Sequence, residues 1–349
     1  MQLIKVLVVD DSAFMRKLIS DYLRSEALIE VIGTARNGED AVKKIKRLRP
    51  DVVTLDIEMP VMNGLEALKV IMDEHPVPVV MLSSTTKEGA DETVKAMSIG
   101  AVDFLAKPSG TISLDLYKVQ SDIVRKVIEA SKVNMGKMVP DQKRFMPVEV
   151  PKMNGRLADG DALIAIGTST GGPRALQKVL AELPRSIPAP IVIVQHMPPG
   201  FTKSLAARLD GLSDITIKEA EQGEKLQKGT AYIAPGGEHL KIVSKGDGLF
   251  AQLDRGEPVN GHRPSVDVLF ASIADLGHQN TIAVIMTGMG SDGTKGLASL
   301  KGKGRVRVIA EAEETCIVYG MPKAAVAGGY VDRSVELGEI SQSILNYLR

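Results

Sequence analysis

The sequence predicts an α/β protein built from two doubly wound parallel-sheet domains. Three observations support this: short runs rich in Val and Ile alternate with amphipathic segments, a stretch containing Pro and Gly interrupts the alternation, and the alternation then resumes. A chain of 349 residues is long for one compact domain and comfortable for two. We therefore expect a first domain at residues 1–125, an interdomain linker at 126–159 and a second domain at 160–349.

The first domain is expected to have a flavodoxin-like fold. Its apolar runs predict strands at residues 4–9, 31–35, 52–55, 77–82 and 102–106. Segments with helical periodicity follow these runs at residues 14–25, 39–48, 65–74, 90–99 and 116–131. Strands that alternate with helices in this way form a parallel sheet that is covered on both faces.

The second domain is expected to be Rossmann-like, with an antiparallel hairpin insert. Apolar runs predict its strands at residues 163–167, 191–195, 282–286 and 306–310. Helical periodicity predicts its helices at residues 173–183, 201–209, 265–275, 294–303 and near 339–348. Gly-rich turns separate further strand-like segments at residues 231–234, 239–243 and 249–253. These segments indicate the hairpin.

Composition and charge argue against several classes of protein. The 43 basic and 43 acidic side chains give no net charge, whereas nucleic-acid-binding domains usually carry a basic surplus, so we expect no nucleic-acid partner. A single cysteine, Cys316, excludes an intramolecular disulfide and fits a reducing compartment. We find neither a signal peptide nor an apolar stretch near the ~20 residues needed to cross a bilayer. We therefore expect a cytoplasmic protein without direct membrane insertion.

Polar side chains follow four of the predicted strands of the first domain. Asp10 and Asp11 end the first strand, Asp56 the third, Ser83 the fourth and Lys107 the fifth. The carboxyl ends of parallel strands meet at one edge of a sheet, so these side chains should converge there. Converging carboxylates need a hard cation or a lysine to offset their charge, and oxygen-only ligation suits Mg²⁺. An aspartate in such a pocket can attack a phosphoryl group.

These residues resemble the motifs of response-regulator receiver domains. The resemblance lies in VVDDS at residues 8–12, LDIEMPVMNG at 55–64 and AKP at 106–108. It implies that Asp56 accepts the phosphoryl group from a histidine kinase. It also implies that Asp10 and Asp11 hold Mg²⁺ together with Asp56 and the backbone carbonyl of Glu58.

The same resemblance implies a switch around the phosphorylation site. Ser83 is expected to contact a phosphoryl oxygen and Lys107 to pair with another. Phe104 stands at the position of the family's aromatic switch residue. The Lys107–Pro108 peptide bond is expected to be cis.

A serine in the second domain occupies a predicted strand-to-helix turn. Residues 167–171 read GTSTG, directly after an apolar strand, and Pro173 opens the next helix. The glycines permit a sharp turn that lifts the hydroxyl of Ser169 above the sheet, and N–H groups at the helix start can stabilise an oxyanion. A loop that cradles a phosphate has the same local features, so the turn alone leaves both functions open.

A histidine base for this serine can be sought among five histidines. His196 ends the next strand, and adjacent parallel strands place their carboxyl ends about 5 Å apart, so His196 can reach Ser169. His75 lies in the first domain. The remaining histidines fall in turns or loops, namely His239, His262 and His278.

The carboxylate that orients the histidine should come from another strand end. Asp292 lies in the Gly-rich turn at residues 287–293, although an aspartate there could equally be only a helix N-cap. A rival triad would combine Ser169 with His278 and either Asp267 or Asp275. We rank it lower because His278 precedes a strand, at the edge opposite the site.

The second domain resembles the catalytic domain of the chemotaxis receptor methylesterases, the CheB family. The motifs are IGTSTGG at residues 166–172, QHMP at 195–198, APGG at 234–237, HRPSVD at 262–267, TGMGSDG at 287–293 and YGMP at 319–322. The resemblance implies a serine hydrolase with Ser169, His196 and Asp292 as the triad. Backbone N–H groups of Thr170 and Met289 are the expected oxyanion donors, and no metal is expected at this site.

The resemblance also implies a substrate and a form of regulation. The family hydrolyses glutamate methyl esters on the cytoplasmic helices of chemoreceptors, and many members deamidate specific receptor glutamines. Phosphorylation of Asp56 is expected to activate the second domain for chemotactic adaptation. Two alternatives stay open: a non-enzymatic domain that binds a nucleotide or partner at the Gly-rich turn, and an esterase for small molecules.

Overall fold

The computed structural model describes residues 3–107, 113–133, 135–137, 162–246, 248–277, 280–303 and 305–348. The chain divides into two compact units, Met1–Val139 and Pro140–Arg349. The predicted domain boundary at residue 125 falls inside a helix, Ser113–Ala130. Most of the predicted linker lies outside the described residues. No helix in the described ranges combines the length and the apolar character needed to span a membrane.

The first unit contains a five-stranded parallel sheet in the order β2-β1-β3-β4-β5. Its strands are β1 (Ile4–Val9), β2 (Ile29–Ala35), β3 (Val52–Asp56), β4 (Val79–Ser83) and β5 (Asp103–Ala106). Its helices are α1 (Ala13–Arg24), α2 (Gly38–Leu48), α3 (Gly64–Glu74), α4 (Lys87–Ile99) and α5 (Ser113–Ala130). Every residue of β3 and β4 is buried, which explains why these strands are mostly apolar and lack the alternation of a half-exposed strand. The predicted doubly wound fold of this unit is confirmed.

Side-chain caps fix where the helices of the first unit begin. The N-cap residues whose side chains accept a hydrogen bond from the first turn are Ser12, Asn37, Asn63 and Thr86. At α3 the cap is reciprocal: Asn63 accepts from the N–H of Glu66 at 2.9 Å, and the Glu66 carboxylate accepts from the N–H of Asn63 at 3.0 Å. The cap thereby fixes the start of α3, at the end of the loop that follows Asp56.

Removing this cap should lower the stability of the first unit. Asn63→Ala leaves the N–H of Glu66 without its acceptor and is expected to cost about 1 kcal/mol of unfolding free energy, measured by urea denaturation. Glu66→Gln is the control because Gln serves as well as Glu in a capping box. An unchanged midpoint for Asn63→Ala would mean that the cap contributes nothing.

The second unit contains a seven-stranded parallel sheet in the order β14-β13-β12-β6-β7-β9-β8. Its strands are β6 (Ala162–Thr168), β7 (Ile191–Gln195), β8 (Thr216–Glu219), β9 (Thr230–Ile233), β12 (Asn280–Ile285), β13 (Arg305–Glu311) and β14 (Arg333–Val335). A separate antiparallel hairpin consists of β10 (His239–Lys245) and β11 (Gly248–Asp254). The helices are α6 (Gly172–Ala181), α7 (Phe201–Asp210), α8 (Val266–Ala274), α9 (Thr294–Lys303), α10 (Met321–Ala327) and α11 (Ile340–Tyr347).

The predicted hairpin insert is confirmed, and three further elements appear that the sequence did not predict. They are β8, β14 and α10. The two strands are short edge strands, and β8 buries only Ile217, so neither has the alternating apolar pattern that identifies a strand. Predicted strand 231–234 corresponds to β9, which belongs to the parallel sheet.

The strand order places a crevice at the carboxyl end of β6. This strand pairs with β12 on one side and with β7 on the other, so the chain winds in both directions from it. Ligands of open α/β sheets bind at such a switch point. The loops that follow β6, β7 and β12 therefore meet at one place.

Candidate functional site

Ser169 stands on a tight turn between β6 and α6. Its N–H donates to the carbonyl of Thr287 at 3.0 Å, and its own carbonyl accepts from the N–H of Gly172 at 2.8 Å. Gly171 has a φ of 79°, and a Cβ atom there would lie 2.7 Å from the side chain of Ile317. Both the backbone conformation and the space therefore require glycine. The turn holds the serine hydroxyl at the carboxyl end of β6.

The structure brings Ser169, His196 and Asp292 together in one line of hydrogen bonds. Nδ1 of His196 lies 3.2 Å from Oγ of Ser169, and Nε2 lies 2.8 Å from Oδ2 of Asp292. An ionised carboxylate only accepts hydrogen bonds, so Nε2 carries the ring proton and Nδ1 presents its lone pair to the serine. This tautomer is the one that a general base for Ser169 requires.

Asp292 is held by the N-terminal end of α8. Its carboxylate accepts from Oγ of Ser265 at 2.8 Å and from the N–H groups of Val266 at 2.7 Å and Asp267 at 3.2 Å. Burial by itself would raise the pKa of Asp292, but the hydrogen bond and charge of His196, with the hydrogen bonds from Val266 and Ser265, lower it below its ordinary value. The carboxylate thus stays ionised beside the imidazole.

The two carboxylates of the rival triad have other partners in the described part of the chain. Asp275 lies at the far end of α8 and pairs with Lys303 at 2.9 Å. Asp267 accepts from the N–H of Gly296 at 2.8 Å, at the start of α9. His278 lies outside the described residues.

The expected oxyanion donors lie on the turn of the serine itself and on the loop after β12. The hydroxyl of Thr287 donates to the carbonyl of Thr170 at 3.0 Å, which ties the loop after β12 to the turn after β6. A Cβ atom on Gly288 would lie 2.8 Å from Cβ of Ser169, so this loop passes directly beside the serine. Roles for the N–H groups of Thr170 and Met289 stay predictions.

Two residues at this site were missed by the sequence analysis. The ring of His262 stacks on that of His196, with centroids 3.8 Å apart and planes 9° from parallel. The amide of Asn260 donates to Asp292 at 3.2 Å. The motif at residues 262–267 contained His262 without indicating a role for it, and that motif was the only signal that could have pointed to this loop.

The first unit has an acidic pocket at the carboxyl end of its sheet. Carboxylate oxygens of Asp10, Asp11 and Asp56 all lie within 4.8 Å of one another. Lys107 places its Nζ 3.0 Å from Oδ2 of Asp10 and 2.7 Å from Oδ2 of Asp56. The Asp56 carboxylate also accepts from the N–H of Glu58. An all-oxygen set of this kind fits a hard divalent cation such as Mg²⁺.

The charges in this pocket shift the pKa values of its members. Burial raises the pKa of Asp56 to about 6, against the opposing effect of Lys107, and the nearby charge of Asp10 adds to the rise. The pKa of Lys107 is raised, because the two carboxylates outweigh the effect of its own burial. The pocket is therefore short of positive charge, which favours a cation.

The expected switch residues occupy the neighbouring strand ends. The hydroxyl of Ser83 is buried and donates to the carbonyl of Gly89 at 2.9 Å, while Phe104 is buried in β5. Their switching roles, like the role of the Glu58 carbonyl, stay predictions. The Lys107–Pro108 bond reaches outside the described residues, so the expected cis geometry stays a prediction too.

The fold and the two sites define a class of protein: a receiver-like regulatory domain followed by an α/β domain with the geometry of a catalytic triad. Residues 6–116 match the family model "Response regulator receiver domain", and residues 164–344 match "CheB methylesterase". The chain belongs to the CheB methylesterase family.

Relatives match this chain along its whole length. A protein-glutamate methylesterase/protein-glutamine glutaminase of Geobacillus kaustophilus is 58% identical over 348 residues, covering 100% of this chain and 99% of the relative. A protein of the same name in Bacillus subtilis is 50% identical to this chain over 353 residues, covering 99% of each chain. The crystal structure of the Thermotoga maritima CheB methylesterase catalytic domain has a TM-score of 0.52 and 47% identity, covering 54% of this chain and 98% of that one.

Proposed function

We propose that this chain is a serine hydrolase that removes methyl esters from receptor glutamates and deamidates receptor glutamines. The observation that carries the proposal is the hydrogen-bonded line of Ser169, His196 and Asp292, with the lone pair of His196 Nδ1 facing the serine. Relatives that span the whole chain are named for both activities. The substrates are the cytoplasmic helices of methyl-accepting chemoreceptors, and the protein acts in the cytoplasm.

The mechanism begins with proton transfer from Ser169 to Nδ1 of His196. The serine oxygen attacks the ester carbonyl, and the resulting oxyanion is bound by the N–H groups of Thr170 and Met289. Asp292 stabilises the imidazolium through the hydrogen bond from Nε2. His196 then protonates the leaving methoxide, and methanol departs. His196 then takes a proton from a water molecule, whose oxygen attacks the acyl carbonyl, and returns that proton to the departing oxygen of Ser169, which releases glutamate.

The same steps account for deamidation. A glutamine amide in place of the ester gives the same acyl-enzyme, and ammonia leaves instead of methanol. One site therefore serves both reactions, because both are acyl transfers to water. No resident metal takes part in these steps.

The first unit regulates this activity through Asp56. We propose that Asp56 accepts a phosphoryl group from a chemotaxis histidine kinase, with Asp10, Asp11, Asp56 and the Glu58 carbonyl as the residues that would hold Mg²⁺. The cation supplies charge neutralisation for phosphoryl transfer when it is bound. Lys107, whose Nζ lies 2.7 Å from Oδ2 of Asp56, would pair with the phosphoryl oxygens. Phosphorylation then raises the hydrolase activity.

Methanol release from methylated chemoreceptor membranes tests the proposed function. Wild type should release methanol, faster with acetyl phosphate and Mg²⁺, and Ser169→Ala should lose at least about 10⁴-fold in kcat. Ser244→Ala, an exposed serine on the hairpin, is the matched control and should keep full activity. A silent wild type would favour a non-enzymatic binding domain, and rapid turnover of small methyl esters would favour a small-molecule esterase.

A further inference from the structure

The loop at residues 259–265 connects the hairpin to α8 and begins with a tight turn. The N–H of Val259 donates to the carbonyl of His262 at 3.0 Å, and the N–H of His262 donates back at 2.9 Å. Between them Asn260 has a φ of 53° and Gly261 a φ of 79°, as a type I′ turn requires. The turn fixes the directions in which the side chains of Asn260 and His262 leave the backbone.

A buried histidine of the hairpin anchors this loop. Nδ1 of His239 accepts from the N–H of Ser265 at 3.2 Å, and Nε2 lies 3.0 Å from the carbonyl of Glu257. The two contacts agree on one tautomer, with the proton on Nε2. The loop is therefore tied to β10 on both sides of its turn, which makes it a defined part of the site.

His262 covers one face of the catalytic histidine. Its ring lies 3.8 Å from that of His196 and is nearly parallel to it, at 9°. A ring in face-to-face contact prevents its neighbour from rotating out of its own plane toward that contact. The stacked pair thus keeps Nδ1 of His196 toward Ser169 and Nε2 toward Asp292.

Asn260 lies between two carboxylates. Its Nδ2 donates to Oδ2 of Asp267 at 2.9 Å and to Oδ1 of Asp292 at 3.2 Å. Two buried carboxylates repel each other, and an amide group that donates one hydrogen to each offsets the repulsion without adding charge. The same contact fixes the rotation of Asp292 about its side-chain bonds.

We propose that the 259–265 loop is a positioning element for the catalytic pair, in which His262 holds the ring of His196 and Asn260 holds the carboxylate of Asp292. Neither residue is assigned a bond to the substrate or a proton in the reaction. The inference rests on the proposed function of Ser169, His196 and Asp292. Misplacement of a catalytic group by about 1 Å can cost about 10²-fold in rate, which sets the effect expected here.

Ring replacement tests the role of His262 in the full-length protein. With methylated receptor membranes, His262→Ala should lower kcat by about 10–100-fold and leave KM within about twofold. His262→Phe should recover most of kcat, because it restores a flat ring without an ionisable group. His75→Ala, a histidine of the first unit, is the control. Failure of Phe to recover kcat would overturn the stacking role.

Glycine replacement isolates the Asn260 amide. Asn260→Gly removes the side chain and tolerates the left-handed backbone, whereas alanine there would add strain. We expect kcat to fall by about 10-fold for Asn260→Gly, and further for Asn260→Asp, which places a third carboxylate beside two others. Wild-type kcat in Asn260→Asp would overturn the bridging role.

A spectroscopic measurement separates positioning from general loss of structure. The proton on Nε2 of His196 should give a downfield NMR resonance that is present in wild type and His262→Phe and is broadened or shifted in His262→Ala and Asn260→Gly. If His262→Ala and Asn260→Gly kept both an unaltered resonance and wild-type kcat, and Ser169→Ala was inactive, the positioning inference would be overturned and the proposed function would stand. Methanol release by Ser169→Ala would instead refute the proposed function itself.

Discussion

Asp292→Asn is expected to lower kcat for methanol release by about 10⁴-fold, the size of effect known for the corresponding change in serine proteases. The reason is that both carboxylate oxygens of Asp292 accept hydrogen bonds, so an NH₂ group in either position would face another donor. Oδ2 of Asp292 accepts from Nε2 of His196 and from the N–H of Val266, while Oδ1 accepts from Ser265 and from Asn260. An asparagine amide has only one oxygen.

Neither orientation of that amide is compatible with the site. With its NH₂ group at the Oδ2 position, donors face donors at His196 and Val266, and the ring is driven into the wrong tautomer for accepting the serine proton. With its NH₂ group at the Oδ1 position, it opposes the amide of Asn260 and the N–H of Asp267. A buried donor without an acceptor costs about 1–3 kcal/mol, so thermal stability should fall as well.

Asp275→Asn is the matched control for this experiment. Asp275 lies at the other end of α8 and is exposed, and its carboxylate pairs with Lys303 at the surface. Its replacement should leave kcat unchanged and alter stability by less than about 1 kcal/mol. If Asp292→Asn kept more than a tenth of wild-type kcat, the role of Asp292 in orienting His196 would have to be abandoned.

The sequence was sufficient to predict that the three residues of the proposed triad lie together, because each one follows a buried parallel strand. Ser169 follows β6, His196 follows β7, and Asp292 lies in the loop after β12. Those strands are neighbours in the sheet. Apolar runs locate strand ends, and the physics of parallel sheets brings those ends together. The acidic pocket was predictable for the same reason.

The contributions of His262 and Asn260 could not be predicted in this way. Both lie in an irregular loop whose path depends on a turn and on the anchor at His239, far away in sequence. No periodicity describes such a path, and stacking of two rings leaves no spacing signal. The short edge strands β8 and β14 were not predicted for a related reason: too few of their residues are buried to create an alternating apolar pattern.

Asp56→Asn is expected to abolish the response to acetyl phosphate and, without Mg²⁺, to stabilise the first unit at neutral pH. The pKa of Asp56 is raised by burial from 3.8 to about 6, so its ionised form costs folding free energy. Asparagine cannot ionise. The gain for Asp56→Asn should therefore approach an upper bound of about 3 kcal/mol above pH 6, since each pKa unit is about 1.4 kcal/mol and the pKa of about 6 already includes the opposing effect of Lys107.

The pH dependence has a definite sign. Below about pH 4 Asp56 is protonated in both the folded and the unfolded chain, and wild type and Asp56→Asn should be equally stable. As pH rises from 4 to 6, the unfolded chain loses its proton first, so wild type loses stability relative to the variant. Hydrogen exchange of the β3 amides in EDTA measures the stability of the first unit separately. Asp21→Asn, at an exposed position of α1, is the control.

Adding Mg²⁺ should reverse much of this difference. A divalent cation that binds the ionised carboxylates of the folded state stabilises wild type by mass action. In Asp56→Asn the cation has one carboxylate ligand fewer, so it should stabilise the variant less. In the proposed function, the charge that destabilises the metal-free pocket is the charge that would bind the cation and attack the phosphoryl group. If Mg²⁺ protected wild type and Asp56→Asn equally, Asp56 would not be a ligand. If the stability difference in EDTA had the opposite sign, Lys107 at 2.7 Å would be offsetting the buried charge completely.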